Sequence, residues 1–264
     1  MKSSKIIVIT GASSGIGAEL ARQLGAQGHR LVLAARREKE LSEVASQTGT
    51  EAITIITDVR RRADIEQLRD RAIEAFGHID VWINNAGRGI GKSVLEITDE
   101  DFDEMMLVNT KSALYGMQAI VPHFKERGSG HLINVSSFLG RVPLATVRSV
   151  YSAAKAALNS LTANLRMDLR REYPGIHVSL VMPGIVLTEF AKNALGGTPP
   201  GPPPTGPMKP QNVEEVAAAI VKLIEQPVAE IYTNPASPEI ARRYYEDIGA
   251  FEAGFGQPPP ANRS

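Results

Sequence analysis

No cysteine occurs in the 264 residues, which removes disulfides, thiolate nucleophiles and cysteine-ligated metals together. An excess of one charge is lacking too. The 29 Lys and Arg balance 29 Asp and Glu, so nothing favours a nucleic-acid or acidic-membrane partner. Long apolar runs are missing as well. Met1-Lys-Ser-Ser-Lys5 leads into a short strand-like segment, IIVIT, too short for a secretory signal and far short of a membrane span. The five histidines, His29, His78, His123, His131 and His177, show no ligand spacing, so no metal is implied. The expectation is a soluble, cytoplasmic protein.

What is present has ordinary globular composition, 43% hydrophobic and 22% charged, and fits one large α/β domain over residues 1–264. Apolar runs at Lys5–Thr10, Arg30–Ala35, Ala52–Thr57, Ile79–Asn84, His131–Ser136, His177–Met182 and Glu230–Thr233 read as strands. Most lack apolar/polar alternation, so they read as strands buried on both faces. Helical patterns separate them. Ile16, Leu20 and Leu24 recur at four-residue spacing before Gly28, a stop signal. Thr98-Asp-Glu-Asp101 opens a helix predicted over Asp99–Phe124, and Asn212-Val-Glu-Glu215 opens another, both as capping boxes. Repeated strand–helix alternation with right-handed crossovers predicts a doubly wound parallel sheet of about seven strands, with helices on both faces. Residues 196–210 hold seven prolines and form neither helix nor sheet interior. They are either a surface loop or, because they follow strand six, a lid over a ligand. From Pro235 a tail carries Tyr244, Tyr245, Phe251 and Phe255, expected to pack on the body or on a partner subunit rather than to serve a cofactor.

After the first strand comes Thr10-Gly-Ala-Ser-Ser-Gly-Ile-Gly17. Glycine lets a strand turn sharply into a helix and lets a pyrophosphate approach the backbone, while the helix N-terminus offers free N–H groups. A competing stretch, Ala86-Gly-Arg-Gly-Ile-Gly-Lys-Ser93, fits a permissive P-loop. Its Lys-Ser pair does not open a helix, because Val-Leu-Glu-Ile intervenes before Thr98, so the triphosphate reading is rejected. Tyr151 and Lys155 stand four apart on a predicted helix, on one face. A phenol near pKa 10 is a poor acid–base group at neutral pH, and a nearby ammonium brings it towards the working range.

The spacing TGxxxGIG resembles the cofactor motif of the short-chain dehydrogenase/reductase family. So do Asn84-Asn-Ala-Gly87, Asn109 in LVNT, Ser136-Ser137, Tyr151-Ser-Ala-Ala-Lys155 and Pro183-Gly-Ile-Val-Leu-Thr188, in the family's order across residues 10–188. The resemblance implies a Rossmann-like fold and hydride transfer between a nicotinamide cofactor and a carbonyl or alcohol. It assigns Tyr151 as acid–base, Lys155 as its partner and ribose ligand, and Asn109 as the holder of a relay water. Ser137 becomes the residue on the substrate oxygen, since Ser137-Phe-Leu-Gly140 fits the family's Ser-x-x-Gly and Ser136 does not. The fourteen-residue interval from Ser137 to Tyr151 exceeds the common pattern by one, pointing to a loop insertion around 144–149. Cofactor contacts fall on Gly11, Ser13, Ser14, Gly15, Ile16 and Gly17, on Asp58 and Val59, and on Asn85, Ala86 and Gly87. Pro183, Gly184 and Thr188 complete the nicotinamide end. Asp58 is alternatively a plain strand-end cap.

In this fold an acid ending strand two bonds the ribose of NAD. Here that position falls on Ala35, followed by Arg36 and Arg37. Loss of the carboxylate removes repulsion of a 2′-phosphate and Arg36, or less strongly Arg37, can bond it, so NADP(H) is expected over NAD(H). The readings held open beside this one are an NAD-dependent alcohol dehydrogenase and a non-catalytic nucleotide-sensing regulator on the same fold. The resemblance further implies a homodimer or homotetramer formed through the helices of Asn109 and Tyr151. Phe138, Leu139, Val142, Leu144 and Ile185 are candidates for an apolar substrate pocket, and Arg88, Arg141 or Arg148 for binding an acid.

Overall fold

Runs of Ile, Val and Leu without polar interruption can be buried only between two layers, and the central ones lie there, while the edge runs Ala52–Ile56 and Glu230–Tyr232 are only partly buried. The computed structural model describes residues 4–190, 193–197 and 208–254. Seven strands, β1 (Ile6–Thr10), β2 (Arg30–Ala35), β3 (Ala52–Ile56), β4 (Val81–Asn84), β5 (Gly130–Val135), β6 (Ile176–Met182) and β7 (Glu230–Tyr232), form one parallel sheet in the order β3-β2-β1-β4-β5-β6-β7. The order reverses between β1 and β4, and ligands of such sheets bind at the carboxyl ends of the strands beside that reversal. Each strand lies within two residues of its predicted bounds. Among the described residues no helix is long and apolar enough to cross a membrane.

One face of the sheet is covered by α1 (Gly15–Ala26), α2 (Glu38–Ser46) and α7 (Val213–Glu225), whose Leu20, Leu24, Leu41, Val216 and Ile220 are buried against it. The other carries α3 (Arg62–Phe76), α5 (Ser112–Arg127) and α6 (Ser149–Leu169), packed around Trp82, Ile120 and Phe124. A buried polar chain ties the second layer together. Trp82 Nε1 donates to Asn84 Oδ1 (2.8 Å), Asn84 Nδ2 to Asn134 Oδ1 (2.9 Å) and to Ala113 O (3.2 Å), and Asn134 Nδ2 to Thr162 Oγ1 (2.9 Å). Thr162 Oγ1 donates in turn to Leu158 O at 2.7 Å. With every member bonded, the chain fixes α5 and α6 against β4 and β5.

The expected capping boxes form: Thr98 pairs with Asp101 at the start of α4 (Asp99–Met106), and Asn212 with Glu215 at the start of α7. The helix predicted over Asp99–Phe124 is not continuous. A π-helical turn, Leu107–Lys111, divides α4 from α5. Here side chains compete with the helix's own ladder: Asn109 Nδ2 donates to Met105 O (3.1 Å) and Ser112 Oγ to Val108 O (2.6 Å). The tail folds as α8 (Ser237–Glu246) and α9 (Ile248–Gly254), with Ile240, Ala241, Tyr244 and Phe251 packed on Phe138 and Val142. Phe255 lies outside the described residues.

Candidate active site

The first turn is built to let backbone approach backbone. Gly11 has φ +69°, and a Cβ there would stand 2.8 Å from Ala86 Cα. A Cβ on Gly17 would stand 2.5 Å from Gly11 O, so the helix can begin only with glycine at that point. Asn85 braces the turn, its Nδ2 donating to Thr10 O (2.9 Å) and Gly11 O (3.3 Å). Ser13, Ser14, Gly15 and Ile16 then open the N-terminus of α1 into a cavity of about 1130 Å³ at the carboxyl ends of the strands. Hydroxyls, free N–H groups and Gly15, whose nearest outside neighbour would be Thr188 Cγ2 at 3.5 Å, make a cradle that fits a pyrophosphate.

Ala35 ends β2 buried and without charge, and Arg36 and Arg37 line the cavity beside it. Arg37 rather than Arg36 touches the turn. Its Nη2 donates to Ser14 Oγ (2.7 Å) and Ser13 Oγ (3.0 Å), and its Nη1 pairs with Glu40 at 3.4 Å. Arg37 precedes α2 directly, so its side chain folds back over the helix N-terminus. Asp58 and Val59 also line the cavity. The Asp58 carboxylate is gripped by Arg60, with Nη2 to Oδ2 at 2.6 Å, and this hydrogen bond holds its pKa below the usual carboxylate value.

Tyr151 and Lys155 share one face of α6, both buried. Burial pushes the Tyr151 phenol up to about 12, against a hydrogen bond from Ser137 and the positive charge of Arg148. It pushes the Lys155 ammonium down to about 8. Desolvation thus dominates both groups and disfavours both charged forms, and the pull that opposes it on the phenol comes from Ser137 and Arg148 rather than from the expected Lys155. Lys155 Nζ donates to Val135 O at 3.0 Å. The two serines separate cleanly. Ser136 Oγ turns into α6, donating to Asn159 Oδ1 at 2.5 Å, whereas Ser137 Oγ faces the phenol and accepts from Leu139 N at 3.2 Å. Gly140 explains the Ser-x-x-Gly spacing: a Cβ there would lie 2.7 Å from the Lys155 carbonyl carbon.

Asn109 is fully engaged with main chain. Its Nδ2 donates to Arg88 O (2.9 Å) and Met105 O (3.1 Å), and its Oδ1 accepts from Arg88 N (3.0 Å). It thus pins the loop after β4, with Gly87 between Asn109 Oδ1 and Lys155 Nζ. After β6, Pro183 O accepts from Phe138 N (2.8 Å) and Thr188 Oγ1 from Phe190 N (3.2 Å), while Gly184 packs close to Asn234 and Met208. The Phe190 ring meets Tyr151 edge-on at 5.7 Å. Leu195 pairs with Gly89 and Gly91, so the segment after β6 is stitched to the loop after β4. Of residues 196–210, 198–207 lie outside the described residues. In the rejected P-loop stretch, Lys92 Nζ is held by Asp101 at 2.5 Å and Ser93 caps a 3₁₀ turn.

Sequence reasoning missed part of the cavity wall. Met208, Ile240, Arg243, Ala250 and Phe251 line it, the last four from the tail that was expected only to pack. The apolar spacing of Ile240, Ala241 and Tyr244 signals a buried helix face, but nothing local says which cavity it closes.

The sequence profile of the short chain dehydrogenase family matches residues 5–196. The chain belongs to that family. An uncharacterized oxidoreductase of Staphylococcus epidermidis is 36% identical over 223 residues, covering 84% of this chain and 92% of the relative. Another, from Bacillus subtilis, is 35% identical over 241 residues, 90% of this chain and 67% of that protein. A short-chain dehydrogenase/reductase of Burkholderia phymatum, solved with NAD, superposes with TM-score 0.85 at 28% identity over 98% of this chain and 99% of its own. A short-chain dehydrogenase of Burkholderia cenocepacia, solved with NADP, gives 0.80 at 29% over 97% and 99%. Both cofactors thus occur among family members of this shape, and the cavity of this short-chain dehydrogenase must be read for its own preference.

Proposed function

We propose that this short-chain dehydrogenase exchanges a hydride between NADP(H) and a carbonyl or secondary alcohol, with Tyr151 as acid and base. The observation that carries the reading is one cavity shared by the buried Tyr151–Lys155 pair, the glycine turn and two arginines where an acid would select NAD. Gly11, Ser13, Ser14, Gly15, Ile16 and Gly17 hold the pyrophosphate, Arg37 and Arg36 the 2′-phosphate, and Asp58 and Val59 the adenine. Asn85, Ala86, Gly87, Lys155, Pro183, Gly184 and Thr188 hold the nicotinamide half. Bound NADPH supplies the hydride for reduction.

The protein's own part is proton and charge. Ser137 and Tyr151 bond the substrate oxygen, and Tyr151 gives it a proton as negative charge gathers there, so stabilisation is aimed at the transition state. A phenol held up near pKa 12 stays protonated at neutral pH and is ready to donate. Lys155, poised near 8, can refill it at working pH. Asn109 serves as a positioning residue, keeping the Gly87–Arg88 backbone beside Lys155.

Tyr151→Phe should abolish NADPH consumption across a panel of ketones and aldehydes while leaving the NADPH dissociation constant within about threefold; surviving turnover would sink the assignment. In the same titrations NADPH should bind at least about tenfold tighter than NADH, and Arg37→Ala should erase most of that gap. Equal affinities for the two cofactors in the unaltered chain would favour the NAD-dependent alternative instead.

A further inference from the structure

The cavity is lined by six arginines, Arg36, Arg37, Arg60, Arg88, Arg148 and Arg243, together with Lys155, against three carboxylates, Asp58, Glu104 and Glu189. Three of these seven cations are committed to carboxylates. Arg60 holds Asp58 at 2.6 Å and Arg88 reaches Glu104 at 3.4 Å, while Arg37 pairs with Glu40. Arg141, another candidate from sequence, is withdrawn by Glu230 at 2.6 Å. Arg148 differs. It lies one helical turn before Tyr151, half-buried, and its Nη1 donates to a neutral acceptor, Ile90 O, at 2.7 Å. Among the described residues it has no carboxylate partner.

Arg148 is also rigidly mounted. Its backbone bridges to Lys92, its carbonyl accepts from Ser152 N at 2.8 Å, and Ser149 Oγ donates to Lys92 O at 3.0 Å. Gly89 leaves the space the guanidinium occupies, since a Cβ there would stand 2.9 Å from Nη1. A guanidinium carries five N–H donors, and one neutral carbonyl neither satisfies them nor balances the charge. Burial pushes the Arg148 guanidinium down, and the neighbouring Tyr151 pulls it back up. The same cavity also presents apolar side chains, Phe138, Leu139, Leu144, Phe190, Ile240 and Phe251, with Phe190 beside the guanidinium across Gly89.

We propose that the substrate is an oxo or hydroxy acid whose carboxylate is bound by Arg148, with its carbon chain against the Phe138–Phe251 wall and its oxygen at Tyr151. This rests on the reading of Tyr151 as the acid–base residue and names the substrate class of that site. A bidentate carboxylate supplies the missing charge and fills paired donors that a ketone or ester leaves empty.

The test compares a homologous series of oxo acids, with the oxo group at carbons two to five, against their methyl esters. In the unaltered chain at least one acid should exceed its ester in kcat/KM by about tenfold or more, as a charge-assisted pair requires. Arg148→Gln should collapse that ratio towards one through the KM of the acid, and Arg148→Lys should retain an intermediate ratio. Esters used as well as acids, or a ratio that survives Arg148→Gln while both rates fall together, would overturn the proposal and leave Arg148 as a brace for the Gly89–Ile90 loop. Calorimetric binding of the same pairs to the Tyr151→Phe protein with NADPH separates the two readings. Acid-selective binding without turnover in the unaltered chain would sink the hydride-transfer reading and keep the acid site. Turnover of neutral ketones without acid-selective binding would do the reverse.

Discussion

At the scale of single residues, the chemistry rests on side chains that burial has pushed away from their charged forms. Lys155 makes this measurable. Its folded pKa of about 8 lies below the ordinary value of 10.5, so between those values the unfolded chain binds more protons and stability rises with pH. Below about pH 8 the penalty is carried in full; it is relieved as pH climbs towards 10.5. Lys155→Met removes the titration. The stability difference between unaltered chain and variant should move by about 2 kcal/mol in favour of the unaltered chain from pH 7 to pH 10, read by urea unfolding. A difference that stays flat would mean Lys155 is not desolvated. That Tyr151 and Lys155 share one face of a helix was legible because a four-residue spacing is local, while the choice of Ser137 over Ser136 came from the family's Ser-x-x-Gly pattern. The direction of the Tyr151 shift was not legible, since desolvation depends on what packs from elsewhere. Arg37's place over Ser13 and Ser14 escaped the sequence for the same reason: which of two adjacent arginines folds back is decided by the loop into α2.

At the scale of elements, strands and caps were readable because their signals span only a few residues, as at Thr98–Asp101 and Asn212–Glu215. The break between α4 and α5 was not, because polar residues at Asn109 and Ser112 are compatible with an unbroken helix and become disruptive only when packed. Gly116, in α5, shows how packing reverses a local preference. On propensity alone Gly116→Ala would stabilise a helix by about 1 kcal/mol. A Cβ there, however, would press within 2.2 Å of Asn84 Oδ1 and 2.8 Å of Trp82 Nε1, inside the buried polar chain. The variant should instead lose about 1–3 kcal/mol in thermal or urea unfolding. A stabilised variant would show that α5 can slide, and that the polar chain does not fix it.

At the scale of the whole molecule, residues distant in sequence complete the cavity: the turn after β1, the start of α6, and α8 with α9. The parallel order was legible from strand–helix alternation, whereas the tail's return to the cavity was not, because no motif encodes it. If the Phe138–Phe251 side of the cavity holds the substrate, as proposed, Phe251→Ala should raise the KM of the carbonyl substrate by about tenfold while the NADPH KM moves less than twofold. Equal shifts in both would relocate α9 to the cofactor side. The arginine-lined cavity has one more consequence. Seven cations against three carboxylates leave it with a surplus of four, and because the chain is neutral, the remainder carries a deficit of four. The lining of the cavity is therefore net positive, and anions diffusing nearby are drawn towards it. At physiological ionic strength that reach shrinks to a screening length of about 8 Å, so added salt should slow the capture of an anionic ligand more than its escape.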